Sequence, residues 1–337
     1  MADKTNSNSK KIPVVAIVGA TASGKTSLAI EICKKLYGEV VSADSMQVYK
    51  GMDIATAKPT KAECAGVPHH LIGFVPVDQN YSVKQYVEDA TPILKDIYAR
   101  GKLPVVCGGT GLYVDSLLKG MKFEDEPEDY SVREKLRVRK DHEGIEPLYN
   151  ELKTIDPEYA ETVHMNNVKR VMRALEIYYL TGEKPSVRRE RQASAESPFD
   201  PVYISIEYND RGILYERIDK RVDKMVESGL IEEAREFINL NGTSTASAAI
   251  GYKELEPYLK GEESLIEALD ALRLSTRRYA KRQLTWYRNR NDINRIVVDT
   301  LRYGETPIGE AMKIILGSGK FKKLFPLSDS KKSPFDA

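Results

Sequence analysis

The sequence feature that most constrains the fold is GATASGKT, residues 19–26. It matches the pattern G-x-x-x-x-G-K-[ST], and it lies between an apolar, β-branched run at 12–18 and a helical pattern from about Thr26 to Tyr37. Two glycines let the backbone approach an anion, while the helix N-terminus and a lysine supply positive potential. The segment is therefore predicted to bind phosphate groups, of either a nucleotide or another diphosphate. The alternative is a strand-to-helix turn that only looks similar.

Further strand and helix patterns alternate along the chain. EVVSA at 39–43 and LPVVCGG at 103–109 are predicted strands, and VYISIEY at 202–208 returns to the sheet after a charged, helix-rich stretch. This alternation predicts an α/β fold: a P-loop NTPase-like parallel sheet flanked by helices, with an inserted helical subdomain. The expected boundaries are a discontinuous core of 11–121 and 200–316, an insertion of 122–199, and disordered tails at 1–10 and 317–337.

Two segments are expected at the same edge of the sheet as the phosphate loop. Asp44 follows the second predicted strand, and Thr110 lies between glycines after the third. Because ligands of open parallel sheets bind beyond the carboxyl ends of the strands, both residues should face one crevice. The carboxylate can accept a proton from a nucleophile or hold magnesium through water, or it can simply cap a turn. The glycine-rich turn is equally compatible with a tight connection.

Two amphipathic helices are predicted in the C-terminal half. The first begins at Asp210, and Arg217 and Arg221 lie one turn apart beside its apolar stripe, so both can point at one target. The second runs from about Ser264 to Arg288. It overlaps the segment 273–290, which is rich in Arg and Lys and has no acidic residue, although the net charge of the chain is only +1. This local cluster indicates an anionic partner, with a solvated surface as the alternative.

The remaining composition excludes several classes of protein. Cys33, Cys64 and Cys107 are odd in number and far apart, so neither a disulfide framework nor a cysteine-based zinc site is expected. The adjacent His69 and His70 have no neighbouring ligand set of recognisable spacing, which favours a structural or gating role. No apolar run approaches the roughly 20 residues needed to cross a bilayer, and the start of the chain is polar. A cytoplasmic protein is expected.

Several stretches, in a fixed order, resemble the tRNA dimethylallyltransferase family, also called tRNA isopentenyltransferases. They are GATASGKT, SADSMQVYKGMDIATAKP, GVPHHLIGF, LPVVCGGTGLYVDSLL, NNVKRVMRALEIYYLTG, RIDKRVDKMVESGL, AIGYKEL and RRYAKRQLTWYR. The resemblance runs from about Pro13 to Asn294 and is far more specific than the phosphate loop alone. It implies transfer of a dimethylallyl group from dimethylallyl diphosphate to the exocyclic amine of the adenosine 3′-adjacent to the anticodon in tRNA.

The resemblance also implies roles for residues of the crevice. Asp44 would take the proton of the amine as the new bond forms. Catalytic stabilisation of the departing diphosphate would come from Thr21, Lys25 and Arg221, with Arg217 as the other candidate arginine. Mg²⁺ is the expected cofactor, held by Thr26. The implied diphosphate-binding residues are Gly19, Ala20, Thr21, Ala22, Ser23, Gly24, Lys25 and Thr26.

The implied partners are the tRNA anticodon stem-loop and dimethylallyl diphosphate, bound by a monomer without membrane attachment. Trp286 or Tyr287 can stack on a splayed base, although the position of Trp286 on the apolar side of its helix favours core packing. The tRNA-binding residues carried over by motif are Asp44, Ser45, Met46, Gln47, Thr110, Lys169, Arg170, Val171, Met172, Arg173, Ile250, Gly251, Tyr252, Lys253, Glu254, Lys281, Arg282, Gln283, Trp286 and Arg288.

Departures from the family pattern are few. Ala20 stands where the family usually has proline, and Ala55 where it often has glycine. No Cys/His set follows residue 164, so the short, bacterial-type form is expected. The alternatives are an adenylate isopentenyltransferase acting on free nucleotide, a P-loop small-molecule kinase, and an RNA-binding protein switched by nucleotide. DSMQVYKG, GYKEL and KRQLTWYR favour the tRNA type over the adenylate type.

Overall fold

The computed structural model describes residues 11–124, 129–193, 196–240, 243 and 245–325. Within these residues, strands form one sheet in the order β3-β2-β4-β1-β5-β6, and every pair is parallel. The predicted α/β class is confirmed. The strands are β1 (Ile12–Gly19), β2 (Gly38–Ser42), β3 (His69–His70), β4 (Leu103–Cys107), β5 (Phe199–Glu207) and β6 (Ile293–Val297).

The central strand β1 is buried on both faces. Val14, Ala16 and Val18 pack into one apolar cluster, and Val15 and Ile17 pack into another on the opposite face. Because helices cover both sides, the strand is continuously apolar instead of alternating with polar residues. The parallel register brings the carboxyl ends of β1, β2, β4 and β5 to one edge of the sheet.

Helices divide between the two faces of the sheet. Helices α1 (Lys25–Leu36) and α14 (Pro307–Gly317) pack on the face of Val15. The face of Val14 is covered by α3 (Val83–Ala99), α4 (Gly111–Leu118), α10 (Arg211–Glu227), α11 (Leu230–Asn239), α12 (Tyr252–Leu259) and α13 (Leu265–Tyr287). The short α2 (Lys61–Cys64) and two 3₁₀ turns, Ala246–Ala248 and Val298–Thr300, complete this part of the chain. No described helix is long and apolar enough to cross a membrane.

The chain divides into two compact units, one of Met1–Leu118 with Pro198–Ala337 and one of Lys119–Ser197. The second unit lies close to the expected insertion of 122–199. It contains α5 (Tyr130–Glu143), α6 (Glu146–Ile155), α7 (Pro157–Glu161), α8 (Val168–Thr181) and α9 (Pro185–Ala193). Its core is formed by Leu136, Leu148, Leu152, Val171 and Leu175.

Two strands and part of the C-terminal segment differ from the expectations. Neither β3 nor β6 was predicted, since one has two residues and the other is partly exposed along its length. The expectation of a loose segment from residue 317 is wrong for 317–325, because Phe321 is buried in the core and Lys320 Nζ lies 2.5 Å from Asp200 Oδ1. The expectations for 1–10 and 326–337 lie outside the described residues.

Candidate active site

The phosphate loop connects β1 to α1 through two positions that only glycine can occupy without strain. Gly19 has a φ of 132° and Gly24 a φ of 103°, both in the region that favours glycine. A Cβ on Gly19 would also lie 2.8 Å from the carbonyl oxygen of Ile206 on β5. The chain therefore turns tightly against the sheet and presents the first N–H groups of α1 to an anion.

Two polar side chains of this loop can interact with an anion. Lys25 Nζ donates to the carbonyl oxygen of Ala20 at 2.5 Å. Burial lowers the pKa of Lys25 to about 8; Cys107 and Asp44 oppose this shift. The hydroxyl of Ser23 is buried and has no hydrogen-bond partner among the described residues. An anionic ligand would compensate both the partly buried ammonium and the unpaired hydroxyl.

Asp44 follows β2 and both caps a turn and faces a cavity. Its Oδ1 accepts hydrogen bonds from the backbone N–H of Met46 at 2.9 Å and of Gln47 at 3.3 Å. The next residue, Ser45, donates its N–H to Thr110 Oγ1 at 3.1 Å, which links the turn to the glycine-rich segment after β4. The turn-capping role is therefore observed, and it fixes the carboxylate where it lines the cavity.

One cavity of about 160 Å³ collects the charged and apolar groups of this edge. Thr21, Asp44 and Arg221 contribute polar atoms to its wall. Its apolar lining includes Val222, Met225, Leu230 and Leu272, from α10, α11 and α13. A cavity with both kinds of wall suits a ligand that has an anionic part and a small apolar part.

The two candidate arginines of α10 occupy different positions. Arg221 lines the cavity, and burial lowers its pKa although the Asp44 carboxylate opposes the shift. Arg217 is exposed, donates its Nε to the carbonyl oxygen of Ala22 at 2.8 Å, and lies 5.4 Å from the ring centroid of Tyr208. Arg221 therefore faces the ligand space, whereas Arg217 braces the outside of the phosphate loop.

The basic segment 273–290 is only partly available to a partner. Arg273 pairs with Asp223 at 2.8 Å, Arg277 pairs with Asp219 at 2.5 Å, and Arg290 pairs with Asp115 at 2.5 Å. Two of these pairs join α13 to α10 and so hold the helix that carries Arg221. The cations of α13 and its C-terminal end that remain exposed are Arg278, Lys281, Arg282 and Arg288.

The two aromatic residues at the end of α13 differ in exposure. Trp286 is 39% exposed, not buried in the core. Its Nε1 donates to Asp115 Oδ2 at 3.0 Å, and its ring lies so close to Gly111 that a Cβ there would be 2.5 Å away. Tyr287 is 1% exposed, which corrects the expectation that it can stack on a base.

Most of the other residues carried over as tRNA contacts fall into three groups. Ser45, Met46, Ile250, Gly251 and Arg282 line the cavity with Asp44. Lys169, Arg170 and Arg173 are exposed on α8 of the second unit, and Met172 is half-buried beside them. Three predictions are corrected because the side chains are buried: Val171, Tyr252, whose hydroxyl donates to Glu233 Oε1 at 2.9 Å, and Gln283.

The rest of that set lies nearby with internal partners. The side-chain amide of Gln47 donates to the carbonyl oxygens of Thr56 and Ala57. Glu254 Oε2 accepts the N–H of Gly251 at 2.8 Å, and Lys253 is exposed. These contacts make Gln47 and Glu254 part of the framework that shapes the cavity.

The sequence analysis did not assign a role to two residues of this region, Tyr279 and Asp115. Tyr279 lines the cavity; burial and the nearby Asp44 raise the pKa of its phenol, so it stays protonated. The guanidinium of Arg282 stacks 5.4 Å from the Tyr279 ring centroid. Asp115 orients Trp286, and an acidic residue inside the otherwise apolar helix α4 was the signal that it needs a partner.

A loop of this geometry between the first strand and helix of a parallel sheet defines the P-loop class of α/β proteins. Residues 47–290 match the family model described as IPP transferase, and residues 12–74 match the one described as isopentenyl transferase. The chain belongs to the tRNA dimethylallyltransferase family, as its resemblance predicted.

Relatives cover almost the whole chain. The tRNA dimethylallyltransferase of Thermoanaerobacter sp. (strain X514) is 44% identical over 313 residues, 92% of this chain and 99% of that protein. That of Acetivibrio thermocellus is 48% identical over 277 residues, 82% of this chain and 88% of that protein. The full-length tRNA isopentenylpyrophosphate transferase of Bacillus halodurans has a TM-score of 0.67 at 41% identity, covering 94% of this chain and 99% of that one. A eukaryotic dimethylallyltransferase acting on tRNA has a TM-score of 0.77 at 30% identity, covering 93% and 80%.

Proposed function

We propose that this chain is a prenyltransferase that moves a dimethylallyl group from dimethylallyl diphosphate to the exocyclic amine of the adenosine 3′-adjacent to the anticodon in tRNA. The observation that carries the proposal is that Asp44, Thr21 and Arg221 line one cavity beside the phosphate loop. A base and an anion site in the same cavity are what this transfer needs, and the relatives are named for it.

The donor binds with its diphosphate in the phosphate loop. The N–H groups at the start of α1, the Ser23 hydroxyl and the Lys25 ammonium bind the anion, and Arg221 adds a second cation. The apolar side chains of α10 and α13 that line the cavity accept the five-carbon group and exclude water. No phosphoryl group is transferred in this reaction.

Transfer replaces one bond to the allylic carbon by another. The amine nitrogen attacks that carbon, the bond from the carbon to the diphosphate oxygen breaks, and the electron pair leaves with the diphosphate. The amine becomes acidic as its new bond forms, and the Asp44 carboxylate accepts the proton. The hydrogen bonds from Met46 and Gln47 hold this carboxylate in place, while Lys25 and Arg221 stabilise the charge that builds on the leaving group.

Magnesium is the proposed cofactor, with Thr26 as its protein ligand. The Thr26 side chain is exposed in the first turn of α1, next to Lys25, and its hydroxyl is a hard oxygen ligand of the kind Mg²⁺ binds. No group of three or more His, Cys, Asp or Glu side chains in the described ranges could hold a metal ion. The remaining ligands would be diphosphate oxygens and water, and the bound ion would neutralise part of the diphosphate charge.

The tRNA anticodon stem-loop is the proposed acceptor. Lys281, Arg282 and Arg288 are exposed cations that can bind phosphates, and exposed Trp286 can stack on a base. The target adenosine must leave its stack to reach the cavity. We assign the helical unit, residues 119–197, to tRNA binding through Lys169, Arg170 and Arg173, and expect a cytoplasmic monomer.

Incubation with labelled dimethylallyl diphosphate, Mg²⁺ and a choice of acceptors tests the proposal. We expect label on an anticodon stem-loop that carries the adenosine and none on AMP, ATP or a stem-loop with guanosine at that position. Label on AMP alone would identify an adenylate isopentenyltransferase. Transfer of phosphate from ATP would identify a kinase, and RNA binding without any transfer would identify a switch protein. Mass analysis of bulk tRNA from cells with and without the gene tests the same assignment in vivo.

A further inference from the structure

A single buried amide joins the phosphate loop to the glycine-rich turn. Gln283 on α13 is 4% exposed. Its Oε1 accepts the backbone N–H of Thr21 at 2.7 Å, and its Nε2 donates to the carbonyl oxygen of Gly109 at 3.0 Å. The loop after β1 and the loop after β4 therefore share one side chain, which comes from a helix far away in the sequence.

The fit of this side chain explains a glycine. A Cβ on Gly109 would lie 1.9 Å from Gln283 Nε2, and its nearest neighbour outside that side chain would be the carbonyl oxygen of Gly19 at 3.6 Å. Position 109 therefore lacks a side chain because Gln283 occupies the space, and not because the turn requires an unusual φ. The two residues form a matched pair.

The chemistry at the two ends requires an amide. Thr21 offers an N–H donor and Gly109 offers a carbonyl acceptor, so the bridging group must accept at one end and donate at the other. A carboxylate of the same length would place an oxygen against the Gly109 carbonyl, and an aliphatic side chain would leave the part-buried Thr21 N–H and the buried Gly109 carbonyl without this partner. Leaving such groups without partners is costly inside a protein.

We propose that Gln283 is a positioning residue that fixes the phosphate loop for the diphosphate of the donor and ties it to α13. The inference rests on the proposed function, because it assigns the loop to a diphosphate ligand. Helix α13 also carries exposed Lys281, Arg282 and Trp286 on the turns around Gln283. Arg282 also lines the cavity, so the proposed RNA contacts and the donor site adjoin on this helix, and Gln283 serves the phosphate loop.

Gln283→Leu removes both hydrogen bonds at similar volume. Isothermal titration with inorganic pyrophosphate, in the presence of Mg²⁺, should show a Kd raised about tenfold, corresponding to the loss of one to two net hydrogen bonds. Gln283→Glu should lose at least as much at neutral pH. The Kd for an anticodon stem-loop should change by less than about twofold, and in turnover assays the KM for the donor should rise while the KM for RNA stays the same. The matched control is Gln79→Leu, at an exposed glutamine, which should change none of these values.

Two outcomes would overturn the proposal. If RNA affinity falls and pyrophosphate affinity does not, Gln283 is an RNA contact. If only the melting temperature falls and both affinities are unchanged, its role is packing alone. The pyrophosphate titration does not depend on the RNA acceptor. If the wild type binds pyrophosphate but prenylates no tRNA, the proposed function is refuted, and the titration still tests whether Gln283 positions the phosphate loop.

A double-mutant cycle tests the matched pair even if one variant is poorly stable. Gly109→Ala should displace the Gln283 side chain and weaken pyrophosphate binding about tenfold. In the Gln283→Ala background, where the added Cβ meets no amide, the same change should cost less than about twofold. Equal losses in the two backgrounds would contradict the inference.

Discussion

Charged side chains gather at both ends of β2, but they are satisfied in opposite ways. At the amino end, Glu39 is 3% exposed and lies 2.6 Å from Arg100 Nη1, 2.7 Å from Lys102 Nζ and 2.8 Å from His70 Nε2. The hydrogen bonds from Arg100, Lys102 and His70 hold the pKa of Glu39 far below its usual range, although burial opposes the shift. Every charge there has its partner within the chain, so the cluster needs no ligand.

At the carboxyl end of β2, Asp44 and Arg221 line a cavity, and Lys25 lies in the adjoining phosphate loop. Among the described residues, Lys25 contacts a backbone carbonyl and not a carboxylate, and the pKa values of Lys25 and Arg221 are both lowered by burial. Asp44 caps a turn and faces the same space. A charged group without an opposite charge in direct contact is therefore the better candidate for a functional role, and a fully paired group for a structural role.

The largest effect is expected from Asp44→Asn. The amide keeps an oxygen that can accept the Met46 N–H, so the turn should survive, but it cannot accept the proton of the amine. We expect the single-turnover rate of prenyl transfer to fall about 10³-fold, within the range for a general base. Stem-loop affinity should be unchanged. A variant that retains more than a tenth of the wild-type rate would remove Asp44 from the mechanism.

The next effect separates the two arginines of α10. Arg221→Gln should reduce kcat/KM for the donor about 100-fold, or about 3 kcal/mol, because the cation that lines the cavity is lost. Arg217→Gln is the matched control on the same helix and should cost about fivefold, since it loses only a brace to Ala22. Steady-state kinetics with varied donor concentration show which variant loses more kcat/KM. A larger loss for the Arg217 variant would mean that Arg217, and not Arg221, contacts the diphosphate.

The parts of this edge that the sequence predicted correctly are encoded locally. Strand β1 and the phosphate loop follow from an unbroken apolar run and from glycines at fixed spacing, so neighbouring residues suffice to predict them. Strand β3 has only two residues, and it forms because Val40 and Val41 of β2 pair with it and His70 contacts Glu39. Such a strand depends on partners that are distant in the sequence, so no local pattern predicts it.

The same limit applies to α13. Helical periodicity placed Trp286 on the apolar side, but Asp115 provides a hydrogen bond and Gly111 a flat contact that keep the ring at the surface. The family motif assigned Gln283 to RNA binding. In the structure its amide is hydrogen-bonded to backbone groups of two loops that are distant in the sequence. The family motifs identified which segments build the site, and only the packing between segments separated contact residues from framework residues.

A smaller effect concerns the pH dependence of donor binding. Burial lowers the pKa of Lys25 to about 8, so the ammonium loses its proton at a lower pH than an exposed lysine does. The charged form binds the diphosphate, and affinity for inorganic pyrophosphate should therefore fall as pH rises through 8, by about tenfold between pH 7 and pH 9. The Lys25→Met variant should bind more weakly and lose this dependence. A wild-type titration that is flat over the same interval would contradict the shift.

The smallest effect on catalysis is expected at the other end of β2. Glu39→Gln should leave the kcat of the folded enzyme unchanged but lower the free energy of unfolding by about 2 kcal/mol, because Arg100 and Lys102 lose a buried carboxylate partner. The loss is modest because both cations are about 40% exposed and remain hydrated. Folding lowers the pKa of Glu39. Its carboxylate therefore stabilises the folded state fully at pH values above the pKa in the unfolded chain, about 4.3, and this stabilisation is lost as pH falls below that pKa. Denaturation should therefore show a gap between wild type and variant at pH 7 that narrows in acid, with the exposed Glu31→Gln as a control without effect. Loss of prenyl transfer in folded Glu39→Gln would mean that both ends of β2 serve the reaction, and the contrast between them would fail.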